Sequence, residues 1–404
     1  MAEALLNLAD VQVRRGMNTV LKGCSLSLKG GQVMVLTGAN GAGKSTLLET
    51  AAGLLPMEEG LVHHHDVVKA DAEGRRRPSP LTVGMVLQRN GMLGSEILSE
   101  HLAAAMSMSG QAVDIEPFLK AFHLQHRAND LVAHLSQGQA RKVAVLAGLL
   151  PAFASSTPSL VMLDEPDAGL DDASIATLCG WMAELRTMGH ALLVATHDER
   201  IVAQATHLFD VGQGTMEDAS PPVEVEVEAH ASTSVKPLSP SAFGVRIHLR
   251  TLMALNTNVM AGLITLGVLL ALGDFMEGLD AIQRLGFILA PTLAAGLCGE
   301  PLVAALREER AGVWWRAVHG RQPHGAWIPF AIGAVLTFFA TTSLGDASEV
   351  HLPLVGGLLC FFVWHTVGWM QRSSQRLARP HAVFVGLLTP VLILPYSLLI
   401  SVLS

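Results

Sequence analysis

The chain has 404 residues, enough for two or three domains, and its 50% hydrophobic against 15% charged content is unusually apolar for a soluble protein. Before Pro237 stand 17 basic and 27 acidic residues; after it come ten arginines, no lysine and eight acids, so an acidic half is joined to an apolar, nearly neutral one. The acidic half has a net charge of −10 and no basic run longer than Arg75–Arg77, which argues against nucleic acid as a partner. Cys24, Cys179, Cys298 and Cys360 are scattered without CxxC spacing, which argues against a disulfide framework or a structural zinc site.

The N-terminal stretch MAEALLNLADVQVRRG carries neither a basic leader nor an apolar h-region, so no cleaved signal peptide is expected and the first domain is expected in the cytoplasm. Alternation in LLNLADVQV and CSLSLKGGQVMVLTG predicts strands. The apolar run Val33–Leu36 feeds into the loop GANGAGKST, and a helix is expected from Lys44. In that loop Gly38, Gly41 and Gly43 let successive backbone N–H groups converge on phosphates, Lys44 supplies a point charge and Ser45 offers a hydroxyl to Mg²⁺. Asn40 and Thr46 complete the expected nucleotide contacts.

Further along, LSQGQ (Leu135–Gln139) opens a helix whose backbone N–H groups and Ser136 can meet a γ-phosphate. The apolar runs SLVMLD (Ser159–Asp164) and HALLVATHD (His190–Asp198) predict buried parallel strands separated by helices, hence an α/β domain with a β-rich N-terminal portion. Asp164 ends such a strand, where a carboxylate can hold Mg²⁺ through water, and Glu165 beside it is placed to polarise an attacking water.

Residues 217–242 are rich in Pro, Ser and Glu and predict an exposed linker. Beyond it come five apolar stretches of spanning length: Leu252–Leu272, Leu285–Leu306, Ala326–Leu344, Leu352–Met370 and Ala382–Leu403. Arginines flank the first stretch, fill the loop between the second and third (Arg307, Arg310, Arg316, Arg321) and recur between the fourth and fifth (Arg372, Arg376, Arg379). Acids dominate the other two loops, so an inside N-terminus and an outside C-terminus are expected. Glu300 is the one acid within the stretches and lies less than two turns from Arg307; a structural ion pair or a carboxylate reaching the interface is expected. His365, between Trp364 and Trp369, is expected to be a packed or interfacial histidine rather than a haem ligand.

Taken in order, GANGAGKST, VLQR with Gln88, LSQGQ, LVMLDEP, AGLD with Asp171 and VATHD with His197 resemble the ATP-binding cassette (ABC) ATPases over about residues 4–215. The resemblance implies an α/β P-loop ABC ATPase domain (1–216), the linker (217–242) and an all-α transmembrane domain of about five helices (243–404). It implies ATP and Mg²⁺ as cofactors, with Ser45, Gln88 and Asp164 toward the metal. Glu165, Gln88 and His197 are then the catalytic group, His197 touching the γ-phosphate and Gln88 linking metal and attacking water to the membrane domain. In this family the LSQGQ residues Ser136, Gly138 and Gln139 face the nucleotide of the partner subunit. With one loop and one such segment per chain, a homodimer follows, or pairing with a related half-transporter.

Two positions depart from the family's pattern. Gln137 stands where glycine is usual, and no aromatic residue occurs near the first strands to stack adenine, where Arg14 or Arg15 offers a guanidinium plane instead. The run His63–Asp66 falls where the family has a β-hairpin, and neighbouring strand residues face opposite sides, so a surface hairpin is expected rather than a metal site. Leu306–Trp327 is similar to the cytoplasmic segment after the second span of export-type ABC membrane domains and is expected near the ATPase.

The resemblance therefore implies a multi-pass cell-membrane half-transporter with a cytoplasmic ATPase domain, exporting or translocating an unknown lipid or hydrophobic substrate. Alternatives are a haem-linked transporter of the cytochrome c maturation type, to whose ATP-binding subunit the ATPase domain is also similar, and a membrane-anchored mechanochemical ATPase that acts on a partner without transport.

Overall fold

The computed structural model describes residues 4–219, 230–272, 281–344 and 351–373. Residue contacts divide the chain into two units, Met1–Ser239 with Leu306–Gln322, and Pro240–Ala305 with Pro323–Ser404.

The first unit runs β1 (Ala4–Arg15), β2 (Asn18–Lys29), β3 (Val33–Thr37), α1 (Lys44–Ala51), β4 (Glu59–His64), β5 (Val67–Asp71), β6 (Val83–Val86) and α2 (Leu98–Met106). It continues with β7 (Gln111–Val113), α3 (Glu116–Ala121), α4 (Gln137–Ala154), β8 (Leu160–Asp164), α5 (Asp172–Thr187), β9 (Ala191–Ala195), α6 (Glu199–Val202), β10 (His207–Asp210), β11 (Thr215–Asp218) and β12 (Ser232–Ser234). An antiparallel sheet, β2-β1-β4-β5, packs beside a six-stranded sheet of order β11-β10-β3-β9-β8-β6. Within the larger sheet β10, β3, β9, β8 and β6 are parallel, and only the edge strand β11 is antiparallel. The sequence accounts for this: VMVL, LVMLD and ALLVA are buried at every residue, as strands covered on both faces must be.

His63 and His64 sit on the β4–β5 hairpin, His64 fully buried and His63 only partly so. The stretch 217–242 begins inside Thr215–Asp218, which extends the large sheet, and within it Ser232–Ser234 pairs antiparallel with Gln111–Val113.

The second unit is helical. It contains α7 (Pro240–Thr251), α8 (Met260–Ala271), α9 (Ala281–Leu297), α10 (Pro301–Glu308), α12 (Ile328–Leu344) and α13 (Leu352–Ser373); α11 (Ala311–His319) belongs to the first unit. Among the described residues two helices are long and apolar enough to cross a membrane, Gln283–Glu308 and Leu352–Arg372. The first predicted stretch, Leu252–Leu272, corresponds to the helical segment Leu255–Ala271, which meets the preceding helix Pro240–Thr251 at 61°. A π-helical turn at Leu255–Val259 lets buried Asn258 donate from Nδ2 to the carbonyls of Ala295 (2.8 Å) and Gly299 (2.9 Å), which α9 leaves open at its C-terminal end. The third stretch forms a 17-residue helix, and the fifth, 382–403, lies outside the described residues.

Glu300 neither reaches an interface nor pairs with Arg307. Its buried carboxylate accepts from His248 Nε2 (2.6 Å), Trp364 Nε1 (3.1 Å) and the Gly325 N–H (3.2 Å), so three separate chain segments satisfy it. His365 is packed as expected, its Nε2 3.1 Å from the Ala326 carbonyl and its ring edge-on to Phe361. Leu263, Ile264, Val268, Phe338, Phe339, Leu358 and Phe362 are exposed and make the outer surface of these helices apolar.

Two buried histidines give the first unit a pH dependence. His64 Nε2 donates to the Ala51 carbonyl and its Nδ1 accepts from Ser79 Oγ (2.8 Å each), and His190 Nδ1 accepts from the Ser159 N–H (3.0 Å). Burial lowers both to about 4, from an ordinary value of 6.5. The unfolded chain therefore binds protons that the fold refuses between pH 6.5 and 4, and stability falls as pH drops through that window. Calorimetry of the full chain is expected to show a falling midpoint between pH 7 and pH 5, with a shallower slope in His64→Gln. An unchanged slope in that variant would remove His64 from the account.

Candidate nucleotide site

The parallel register brings the predicted site residues to one edge. Val86 lies opposite Leu163, Asp164 opposite Ala195, and Leu36 opposite Ala195. Gln88, Asp164 with Glu165, His197 and the glycine-rich loop therefore all follow strand ends at the carboxyl edge of the sheet, where open α/β sheets bind ligands.

In the loop, Gly38 (φ 130°), Gly41 (φ 83°) and Gly43 (φ 105°) adopt conformations that side chains rarely take, and these turn successive N–H groups to the concave side. Lys44 is buried with Nζ 2.8 Å from the Gly38 carbonyl and 3.2 Å from that of Ala39. Asn40 is exposed on the loop, and Thr46 is buried in the first turn of α1. Ser45 Oγ donates to Asp164 Oδ1 at 2.9 Å, which joins the loop to the end of β8. Burial pushes the Asp164 carboxyl up to about 6; the Ser45 hydroxyl opposes this, and the charges of Glu165 and Glu49 add to it. A hydroxyl and a desolvated carboxylate in contact are hard oxygen donors of the kind Mg²⁺ takes.

Glu165 has φ 47°, an uncommon value for a residue with a side chain, and its N–H donates to the Ala195 carbonyl at 2.7 Å. The residue that holds this corner escaped the sequence reading. Arg141, buried on α4, donates from Nη1 to the Leu87 carbonyl (2.7 Å) and from Nη2 to the carbonyls of Asp164 (2.7 Å) and Glu165 (2.5 Å). Its one signal was a cation on a helix otherwise apolar from Val143 to Ala154.

The LSQGQ segment begins α4 with a capping box: Ser136 Oγ accepts from the Gln139 N–H (3.3 Å) and Gln139 Oε1 from the Ser136 N–H (3.0 Å). Asp171 caps α5 by accepting from the Ser174 N–H (2.8 Å) and pairs with Lys142 (2.9 Å), contacts that hold its carboxyl well below the usual range. Thus Ser45 and Asp164 are in direct contact, whereas Ser136 and Gln139 bond to each other at the start of α4, next to Gly138, and Asp171 bonds to Ser174 and Lys142. Gln88 and His197 are exposed at the strand ends. Arg14 and Arg15 are both engaged: Arg14 faces Glu58 (3.5 Å), and Arg15 pairs with Glu49 (3.1 Å).

The segment Leu306–Gln322 packs within this unit, near the ATPase as expected. Trp314 of α11 is buried; its Nε1 donates to the Met85 carbonyl (3.0 Å) and its ring lies 4.7 Å from that of His101. Gly91 permits the approach, since a Cβ there would stand 2.9 Å from Trp314 Cβ. Arg89 Nη1 donates to the Glu308 carbonyl (3.2 Å), so the residues just after Gln88 carry the segment.

Arg141→Lys keeps the charge but cannot reach three carbonyls at once. It is expected to lower the turnover of nucleotide hydrolysis about 100-fold, the cost of misplacing a reacting group by about an ångström, with nucleotide binding little changed. Steady-state kinetics would refute that role if more than half of the wild-type turnover survived.

Residues 21–168 match the family described as ABC transporter. The chain is 37% identical over 194 residues to the cytochrome c biogenesis ATP-binding export protein CcmA of Gluconobacter oxydans, covering 48% of this chain and 81% of that one. It is 33% identical over 214 residues to the ABC-type transporter ATP-binding protein EcsA of Bacillus subtilis, covering 51% and 81%. Against the pyoverdine export ATP-binding/permease protein PvdT of Pseudomonas aeruginosa it is 28% identical over 258 residues, 61% of this chain but only 36% of that longer one. With its phosphate loop, its paired acids and these relatives, the chain belongs to the ABC transporter family, and its N-terminal α/β unit is an ABC ATPase that binds and hydrolyses ATP.

Proposed function

We propose that the chain is an ATP-driven half-transporter that works as a homodimer in the cell membrane, its ATPase domain (1–216) cytoplasmic, and exports a lipid or other hydrophobic substance through the spans of 243–404. The observation that carries this reading is the docking of Leu306–Gln322, which lies between two apolar stretches, onto the residues on either side of Gln88. Such a contact transmits a change at the nucleotide to the membrane helices. The curated relatives named for export favour the outward direction.

In the proposed cycle the loop amides from Gly38 to Gly43 and Lys44 hold the β- and γ-phosphates, and Thr46 supports the first turn. Ser45, Asp164 and Gln88 would hold Mg²⁺, which neutralises charge on the phosphates. Glu165 orients and polarises the attacking water, and His197 contacts the γ-phosphate. Ser136, Gly138 and Gln139 stand at the start of α4, where helix N–H groups favour an anion. Facing the nucleotide of a second copy, they would complete two equal sites, with Asp171 at the seam.

A second reading has its own support: the cytochrome c biogenesis relative is 37% identical. On that reading the cargo is haem or a haem-linked intermediate.

Both are tested by ATP hydrolysis of the full chain in lipid nanodiscs, wild type against Glu165→Gln, with lipids, haem and amphipathic drugs added one at a time. Hydrolysis that is lost in the variant and raised by a lipid or drug supports the first reading; stimulation by haem alone supports the second. Stimulated hydrolysis without flux in sealed liposomes would instead make the protein a mechanochemical ATPase.

A further inference from the structure

Glu49 is a buried carboxylate on α1, the helix headed by the phosphate loop, and two arginines from distant parts of the chain share it. Arg15, at the end of β1, places Nη2 3.1 Å from Oε2, and Arg310 places Nη2 2.8 Å from Oε1. Glu49 lies one turn beyond Ser45, and residues four apart share a helix face. Its carboxylate is therefore on the side where Ser45 meets Asp164. Arg310 enters from the docked segment: it is the N-cap of α11 in a left-handed conformation (φ 57°), and Trp314, whose N–H bonds back to the Arg310 carbonyl (3.1 Å), is the buried anchor.

Arg15 alone balances the Glu49 charge, so Arg310 brings a surplus cation to this side of α1. We propose that Arg310 is a positioning residue for the ATP reaction: docked, it adds a positive charge to the Glu49–Arg15 pair and makes the phosphate side of α1 more favourable to a polyanion; undocked, it leaves Glu49 balanced by Arg15 alone and that attraction is lost. The membrane-side segment is thereby sensed at the phosphate site as a change of charge, through a single shared carboxylate. This rests on the ATP-driven transport reading above and assigns Arg310, Glu49 and Arg15 a part in it.

The signs of the effects distinguish this from an ion cluster that merely holds the fold together. In the full chain in nanodiscs, Arg310→Gln is expected to raise the KM for ATP and the Kd for the fluorescent analogue mant-ATP about fivefold, the scale of one partly screened charge. Arg310→Lys should stay within about twofold of wild type, since it retains the charge. Glu49→Gln should not raise either constant, and the double variant should return toward wild type. If Arg310→Gln and Glu49→Gln raise KM alike, or lower only the melting temperature and the active fraction, the proposal is overturned. Hydrolysis no faster than that of Glu165→Gln would sink the transport reading, while the mant-ATP constants would still decide the role of Arg310.

Discussion

Three backbone carbonyls that close two neighbouring parallel strands, those of Leu87, Asp164 and Glu165, converge on the buried guanidinium of Arg141. Carbonyls at strand ends have no ladder partner, and a desolvated guanidinium has no water, so each satisfies the other's need. The planar fork of donors also fixes spacing and direction, which an ammonium does not. The uncommon backbone at Glu165 thus has a stated cause: its carbonyl is pinned from α4 while its N–H is pinned by Ala195. Because α4 also begins with the LSQGQ capping box, the guanidinium makes one mechanical piece of the segment that faces outward, the loop that carries Gln88 and the pair of acids.

The parts legible in the sequence were those with a local signature. Apolar runs gave the parallel strands, glycine spacing gave the phosphate loop, and the strand-end position of Asp164 marked its carboxylate as a candidate, though not its hydrogen bond with Ser45. What escaped was long-range pairing. Arg141 with Leu87, Glu49 with Arg310 and Trp314 with Met85 join residues separated by 54, 261 and 229 positions. No periodicity encodes such a partner; only an odd residue hints at it, such as a cation on an apolar helix or a pair of tryptophans in a basic loop. Arg14 and Arg15 illustrate the same limit. Their guanidinium planes were visible as candidates for a base, but the carboxylates that hold them lie on β4's approach and on α1.

The helical unit follows a related rule with the polarity reversed. An apolar interior cannot leave polar groups open, and the polar side chains between its helices each close a specific vacancy. Asn258 covers the carbonyls of Ala295 and Gly299, Thr292 and Thr337 pair at 2.7 Å, and Glu300 collects donors from His248, Trp364 and Gly325. Glu300 is the structural pairing expected from sequence but with another partner, because the nearest cation along the chain is Arg307, whereas the nearest donors in space come from α7, the loop before α12 and α13. A carboxylate so enclosed works as a clasp for helix ends.

The Gln137 departure can be placed on the same physical footing. Gln137 is the first residue of α4 and is exposed, so its side chain displaces nothing within the chain. Gly138 is different: a Cβ there would come within 3.2 Å of the Gly169 carbonyl, on the loop that leads to Asp171. The position that keeps its glycine is the one pressed against a neighbouring backbone, and the position that varies faces outward. A bulky residue at 138 would push the start of α4 away from that loop and strain the Lys142–Asp171 pair behind it. Gln137, by contrast, adds its side chain only to the exposed face at the start of α4, where its amide keeps its own hydrogen-bonding groups open to solvent.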